Sequence, residues 1–348
     1  MLVDSPPEQR VEHACAAPPT RRAVRSLGLL VALAILLLVV LVSIAVGAKE
    51  LSLAQVWHGL FHDSGTYGDV VVDERLSRTV LGLLVGAALG LSGAVLQALT
   101  RNPLADPGLL GINAGASAAV VTAISFFGVG SLSGYVWFAF AGAAAVGALV
   151  WFLGGSRGAT PVRLALAGTA ISAALYGYLQ AVMITDGAAL DKMRFWTVGS
   201  LASATASTIV QVLPFLVVGM VLALLLARPL NAMTMGDDTA RALGADLNRT
   251  RALAMLAATV LCGAATAACG PIVFVGLMVP HAVRSFTGPD LRWILPYAAV
   301  LSPVLLLGSD ILGRVVARPS ELQVGIVTAI IGGPVFIHLV RRRRTAQL

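Results

Sequence analysis

Few residue types in this 348-residue chain could carry covalent or redox chemistry. Its two lysines, Lys49 and Lys192, both lie outside the G-x-x-x-x-G-K-[ST] pattern that binds nucleotide phosphates. Cys15, Cys262 and Cys269 lack the spacing of a disulfide or a zinc site. The sequence also lacks the G-x-S-x-G motif of a serine nucleophile. We therefore predict no catalytic residue, no metal site and no cofactor, and we expect any ATP hydrolysis to occur in a separate subunit.

Polar residues inside the apolar segments are also sparse. No such segment carries two carboxylates that could relay protons or cations, which argues against an ion-coupled carrier. Asp310 and Arg314 are four residues apart and could neutralise each other on one helix. Gln97 and Gln180 are expected to form hydrogen bonds between helices, and lining of a pore is the alternative. These residues are thus predicted to organise helices or line a path rather than to react.

The composition places most of the chain in lipid. Apolar residues make up 57% of the sequence and charged residues 12%, with a mean hydropathy of +0.87, and no soluble core could hide that much apolar surface. Ten apolar segments are candidates to cross about 30 Å of hydrocarbon, the eighth being short and interrupted by Pro280. The segments are 27–48, 79–100, 109–128, 134–154, 164–185, 208–227, 252–270, 272–287, 293–312 and 322–340. We predict an all-α polytopic membrane protein with about ten transmembrane helices.

An internal repeat is visible when each residue is placed over the residue 177 positions later. Gly93 then matches Gly270 and Pro103 matches Pro280, within a stretch of further identities that begins at residue 84. Five spans separate the two copies, so the second copy would be inverted in the membrane. We predict that spans 2–5 and 7–10 form an inverted internal repeat, as in many transporters. Close helix packing is expected at three glycines four residues apart: Gly82, Gly86 and Gly90.

The distribution of basic residues predicts the orientation. With the amino terminus inside, 17 of the 24 lysines and arginines fall in inner segments. Both termini are therefore predicted to be cytoplasmic. The net charge of +7 reflects this topology, and we expect no nucleic-acid binding. Residues 1–26 are predicted to form a disordered cytoplasmic tail, and residues 27–344 the membrane domain.

The inner loop at residues 228–251 is predicted to contain a short amphipathic helix. Pro229 should end the sixth span, Asp237 or Asp238 could cap the helix, and Gly244 would end it. We expect Ala240, Leu243 and Leu247 to lie on one side of this helix and that side to bind a cytoplasmic partner, with a simple connector as the alternative. The residues assigned to the contact are Asp237, Asp238, Ala240, Arg241, Leu243, Gly244 and Leu247.

Several ordered motifs give the chain a recognisable pattern. They are RLSR at 75–78, RNPLADP at 101–107, RFWTVGSL at 194–201, ALG at 242–244, GLMVPH at 276–281 with Arg284, and Asp310 with Arg314. This pattern resembles the FecCD-type permeases, the membrane subunits of ATP-binding-cassette (ABC) importers for iron-siderophores, haem and cobalamin. The resemblance covers residues 27–344.

The resemblance implies a transport subunit in the bacterial inner or cytoplasmic membrane rather than an enzyme. It implies two permease subunits, ATPase subunits that contact the inner-loop helix, and an extracytoplasmic substrate-binding protein. A heterodimer of permeases is favoured over a homodimer. The expected substrate is a ferric siderophore of the enterobactin-like catecholate class. A haem or cobalamin importer is the alternative, and a stand-alone ion-coupled carrier is the alternative from another class.

Two further sets of residues receive roles at the outer side. By resemblance, Arg75, Arg78 and Arg314 are expected to dock onto acidic residues of the binding protein, and pairing inside the chain is the alternative. The acids for that alternative are Asp73, Glu74 and Asp310. A half-helix between spans five and six could cover the translocation path, and glycines in the last span would let it move. The residues assigned to the gate and path are Trp196, Gly199, Gln180, Gly325 and Gly332.

Overall fold

The computed structural model describes residues 19–61, 65–155 and 161–345. All elements within these ranges are helical, which confirms the predicted fold class. A 3-10 turn at Pro107–Leu110 precedes the fourth helix. The helices are α1 (Pro19–Ala45), α2 (Leu53–Phe61), α3 (Tyr67–Thr100), α4 (Ile112–Phe127), α5 (Leu132–Gly155), α6 (Pro161–Thr185), α7 (Gly187–Trp196), α8 (Ala206–Leu225), α9 (Ala227–Thr234), α10 (Asp237–Ala242), α11 (Leu247–Cys269), α12 (Val275–Thr287), α13 (Leu291–Val316) and α14 (Val324–Thr345).

Seven helices in the described ranges are long and apolar enough to cross a membrane. They are α1, α3, α5, α6, α8, α11 and α13. α4 and the apolar part of α14 are shorter, and the 13 residues of α12 extend only about 20 Å. The predicted number of ten spans is therefore not confirmed by helix length. The difference falls on the predicted third, eighth and tenth spans.

α3 and α11 form the centre of the fold. In their most apolar windows, 78% and 72% of the residues are buried, against 17% for α1 and for α6. α3 packs against α8, α11, α12 and α13. The apolar surfaces of α1, α6 and α8 stay largely exposed in the single chain, as expected of helices that face lipid or another subunit.

The glycine face of α3 packs directly against α13, as the sequence predicts. A Cβ atom at Gly86 would lie 2.6 Å from the Cα of Pro303, and one at Gly90 would lie 2.6 Å from the carbonyl oxygen of Ala298. Gly82 meets the side chain of Leu307 in the same way. Because the three glycines add no side chain of their own, α3 and α13 approach closely over about two turns, with direct backbone contact at Gly86 and Gly90.

The predicted internal repeat pairs positions whose local structures differ. α11 ends at Cys269, which the shift of 177 places over Ser92 in the middle of α3. The chain then breaks at Gly270 (φ +75) and Phe274 (φ +70) before α12 begins. The inverted relation between spans 2–5 and 7–10 remains a prediction.

The first helix begins earlier than expected. α1 starts at Pro19, so residues 19–26, which we assigned to the disordered tail, are helical. Tyr297 on α13 donates a hydrogen bond to the carbonyl oxygen of Arg25 at 2.7 Å, and the Arg25 guanidinium lies 5.9 Å from the centre of the Trp293 ring. These contacts with α13 stabilise the helical start of α1. The rest of the predicted tail, residues 1–18, lies outside the described residues.

Candidate functional site

The loop between α8 and α11 contains two short helices instead of the single helix predicted. Pro229 was predicted to end the sixth span, but α8 already ends at Leu225 and Pro229 lies in the first turn of α9. Proline is tolerated there because a backbone amide in the first turn of a helix has no intrahelical acceptor. Gly236, at φ +109, separates α9 from α10. Gly244, at φ +79, ends α10 as predicted, and its amide donates to the carbonyl oxygen of Arg241 at 2.9 Å. We call residues 227–246 the coupling segment.

The residues assigned to the cytoplasmic contact differ in exposure. Four are exposed: Asp238, Arg241, Leu243 and Gly244. Leu243 is 64% exposed, an unusual position for a leucine outside the lipid-facing helices. Ala240 is fully buried, and Leu247 is 5% exposed as the first residue of α11. The prediction that these last two share a partner-facing side with Leu243 is wrong, because α10 ends at Ala242 and the helical register does not continue to Leu247.

Asp237 was predicted to be a possible helix cap but instead joins three elements. Its carboxylate accepts hydrogen bonds from Arg101, just after α3, and from Arg251 on α11, the latter at 2.6 Å. Arg101 also donates to the carbonyl oxygen of Met233 on α9 at 2.9 Å. Burial raises the pKa of Asp237, but the two arginines outweigh this effect and hold the pKa below its ordinary value. Asp237 therefore stays ionised and ties α10 to the ends of α3 and α11.

A cleft of about 460 Å³ lies at the other end of α3. At a rise of about 1.5 Å per residue, Arg78 in the cleft and Arg101 at the coupling segment are roughly 35 Å apart along the helix. We name this cleft the outer cleft after the predicted orientation; the charged side chains that line it are Lys49, Glu74, Arg75, Arg78, Arg314 and Glu321. Positive groups are in excess there, so the cleft favours an anionic ligand or an acidic protein surface.

The three arginines assigned to docking are buried, with exposures of 5% for Arg75, 9% for Arg78 and 2% for Arg314. Arg75 donates to the carbonyl oxygens of Ile44 and Ala45, each at 3.0 Å, and to that of Lys49. Arg314 donates to the carbonyl oxygens of Ser43 and Val46. The last carbonyls of a helix lack intrahelical donors and carry partial negative charge, so these guanidinium groups cap the end of α1.

Asp310 is the shared acid of this cluster and is fully buried. Its Oδ1 accepts two hydrogen bonds from Arg78, at 3.0 and 2.7 Å, and its Oδ2 lies 3.0 Å from Nη2 of Arg314. The predicted internal pairing of Arg314 with Asp310 is confirmed. Arg78 also donates to Glu321 at 2.6 Å. The alternative pairing of Arg75 and Arg78 with Asp73 and Glu74 is wrong. Arg75 bonds to backbone carbonyl oxygens and Arg78 to Asp310 and Glu321.

Four of the five residues assigned to the gate lie near one junction between chain segments. Gly199, at φ +79, accepts a hydrogen bond at its carbonyl oxygen from the amide of Gly325 at 3.2 Å. A Cβ atom at Gly325 would overlap the carbonyl oxygen of Val198, and Gly270 packs against the carbonyl oxygen of Trp196. Gly332 lies about two turns further along α14 than Gly325 and packs against Phe274. We call this contact between the 196–200 loop, the 269–274 break and α14 the outer junction.

The two glutamines predicted to act between helices have different environments. Gln97 is fully buried and donates to the carbonyl oxygen of Leu277 on α12 at 3.0 Å, which confirms the predicted hydrogen bond between helices. Gln180 lies on the exposed surface of α6, and no contact described for this part of the chain joins it to the outer junction. Sequence reasoning assigned no role to Glu321 and gave Asp237 the roles of a cap and of a partner contact. It predicted neither residue's bonds within the chain, because the residues they bond to are far away along the sequence.

The sequence and structure comparisons agree with this arrangement of helices. The FecCD transport family model matches residues 35–342. The ferric enterobactin transport system permease protein FepD of Escherichia coli (strain K12) is 46% identical over 329 residues, covering 92% of this chain and 96% of FepD. The Fe(3+)-citrate import system permease protein YfmD of Bacillus subtilis (strain 168) is 39% identical, with 94% and 98% of the two chains covered.

A solved structure supports the same assignment. A metal-chelate type ABC transporter in an inward-facing conformation superposes with a TM-score of 0.81 at 26% identity, covering 91% of this chain and 99% of that one. The family match spans most of the sequence, and the relatives match along nearly their whole length. The chain therefore belongs to the FecCD transport family, as a multi-pass permease subunit of an ABC importer of the iron-siderophore, haem or cobalamin type.

Proposed function

We propose that the chain carries a ferric siderophore of the enterobactin-like catecholate class across the bacterial inner or cytoplasmic membrane, with both termini in the cytoplasm. The observation that carries the substrate class is the similarity to FepD along almost the full length of both chains. No bond of the substrate changes in this step. The chain supplies the path, and ATP hydrolysis in partner subunits supplies the free energy.

The coupling segment is the proposed contact with an ATPase subunit. It presents Leu243 at 64% exposure beside Asp238 and Arg241, so an apolar anchor is surrounded by exposed charges. Such a pattern suits insertion into a groove of a soluble partner. The link from Asp237 to Arg101 and Arg251 would pass movement of this segment to α3 and α11.

The outer cleft is the proposed docking site for the substrate-binding protein. The excess of Lys49, Arg75, Arg78 and Arg314 over Glu74 and Glu321 favours acidic side chains of the partner. Charge reversal of Arg75 or Arg78 is a poor test of docking, because each guanidinium also has acceptors inside the chain. Docking must use the faces of these groups that border the cleft.

The outer junction is the proposed gate. Gly199 and Gly325 allow close backbone contact that a small shift of α14 would break.

The second permease subunit is proposed to be a different chain. The exposed apolar surfaces of α6 and α8 are available to lipid or to the second permease. The exposed Gln180 on α6 is a candidate for the wall of the path between the two subunits.

Transport by the assembled importer tests the substrate assignment. The chain would be reconstituted in vesicles with its ATPase, partner permease and binding protein, and uptake of ferric enterobactin, haem and cobalamin would be compared. We expect ATP-dependent uptake of ferric enterobactin well above that of the other two. Faster uptake of haem or cobalamin would overturn the substrate assignment. Uptake by this chain alone, driven by an ion gradient, would overturn the proposed dependence on ATPase partners.

A further inference from the structure

The guanidinium group of Arg78 has an inner and an outer face. Its inner face donates from Nε and Nη2 to Asp310, which is fully buried. Its outer face donates from Nη1 to Glu321, whose side chain is 34% exposed. The inner contact is enclosed by protein, whereas the outer contact lies at the wall of the cleft. A carboxylate that enters the cleft can therefore compete with Glu321 but not with Asp310.

Glu321 lies in a short connection that leads into the outer junction. The amide of Leu322 donates to the carbonyl oxygen of Gly313 at 3.1 Å, and α14 begins at Val324. Four residues after Glu321, the amide of Gly325 donates to the carbonyl oxygen of Gly199. A backbone shift that carried Glu321 away from Arg78 would act directly on the first turn of α14, whose Gly325 amide bonds to the 196–200 loop.

We propose that Glu321 is an internal placeholder for an acidic side chain of the binding protein. In the free permease it occupies the outer face of Arg78 and keeps α14 against the 196–200 loop. When the binding protein docks, its carboxylate takes this face, Glu321 is released, and the outer junction loosens. Docking and loosening of the gate are then one exchange of carboxylates at one arginine. This inference rests on the proposed docking site.

The exchange replaces one ion pair by another, so it needs little free energy from the binding protein. The binding protein can dock only on those permease molecules in which Glu321 has left the outer face of Arg78. Its apparent affinity is therefore its intrinsic affinity multiplied by the fraction of molecules in this state. Removing the placeholder should therefore strengthen docking, whereas removing a purely structural ion pair would leave docking unchanged or weaken it. The sign of the affinity change separates the two roles.

The experiment compares Glu321→Gln with Glu74→Gln in the complete importer held in lipid nanodiscs. Glu74 lines the same cleft and carries the same charge, but it is exposed and is not a hydrogen-bond partner of Arg78. Affinity is measured for the importer's binding protein loaded with ferric enterobactin, at low and high salt. Amide hydrogen exchange at Ser200 and Gly325 is measured without the binding protein.

We expect Glu321→Gln to bind the binding protein about fivefold more tightly or better at both salt concentrations. Amide exchange at Ser200 and Gly325 should be faster than in the wild type. Glu74→Gln should give only a small increase in affinity that disappears at high salt, with unchanged exchange. Unchanged or weaker binding by Glu321→Gln would overturn the placeholder role. Unchanged amide exchange would overturn the link to the outer junction.

The failure of this inference is distinguishable from failure of the proposed function. If the wild-type importer takes up ferric enterobactin but Glu321→Gln binds no tighter than wild type, only the inference is wrong. If the wild type takes up none, the proposed function is wrong, and amide exchange in the absence of a partner still tests the link between Glu321 and the outer junction.

Discussion

At the scale of single residues, the outer cluster depends on one carboxylate. Asp310 is buried between Arg78 and Arg314, and both guanidinium groups direct polar atoms at it. An ion pair of this kind adds little to stability over an apolar pair of equal volume, but loss of one partner leaves an uncompensated buried charge. The cluster should therefore tolerate the loss of Asp310 poorly.

We predict that Asp310→Asn destabilises the protein by about 3–5 kcal/mol, because it leaves two buried arginines with the half-exposed Glu321 as their remaining acid. Thermal unfolding of the purified permease in detergent would measure the loss. Asp73→Asn is the matched control, since Asp73 is exposed at the same end of α3 and should change stability by about 0.5 kcal/mol or less. Equal melting of the two variants would contradict the assigned role of Asp310.

At the scale of elements, α3 is packed through glycine on two sides. Gly82, Gly86 and Gly90 meet α13, while Gly93 meets α12, where a Cβ atom would overlap the carbonyl oxygen of Gly276. A backbone atom cannot rotate away as a side chain can. An added methyl group at Gly93 must therefore separate α3 from α12 and weaken the hydrogen bond from Gln97 to Leu277.

We predict that Gly93→Ala lowers stability by about 1–3 kcal/mol, the usual cost of overpacking a closely packed interface. Gly308→Ala is the control, because Gly308 lies within α13 and a Cβ atom there has no neighbour within 4 Å. Alanine should be neutral or slightly stabilising at that position. If Gly93→Ala melted like Gly308→Ala, α3 and α12 would have to be further apart than the structure indicates.

The sequence predicted most long elements because hydrophobic length and glycine spacing are local signals. It did not predict α2 or α9, and it predicted α7 only as a half-helix between spans five and six, without bounds. Helices of 8 to 10 residues depend on tertiary contacts more than on their own propensity. The ion pairs of Asp237 and Arg78 were not predicted from the sequence either. Asp237 bonds to Arg101 across 136 positions and Arg78 to Asp310 across 232, and no local pattern reports such pairs.

At the scale of the whole molecule, α3 connects the two proposed partner sites. Arg78 near its start contacts the outer cleft, and Arg101 just after its end contacts the coupling segment through Asp237. Because α3 lies at the centre and packs against α8, α11, α12 and α13, movement at one end is resisted by the whole bundle. Transmission of movement from the coupling segment to the outer cleft should therefore depend on how firmly the coupling segment is attached to α3 and α11.

We predict that Asp237→Asn reduces substrate uptake per ATP hydrolysed severalfold while the ATPase still binds. The change removes the carboxylate that joins Arg101 to Arg251 and leaves the exposed Leu243 available to the partner. The side chains of Arg101 and Asp237 are 38% and 32% exposed and that of Arg251 is 13% exposed, so each contact contributes on the order of 1 kcal/mol and the fold should persist. Asp238→Asn is the matched control, because the neighbouring Asp238 is fully exposed and pairs with Arg241 within α10. Uptake and ATP hydrolysis would be measured on the same vesicles. An unchanged ratio in Asp237→Asn, or an equal loss in Asp238→Asn, would show that the link through Asp237 does not transmit the movement of the coupling segment.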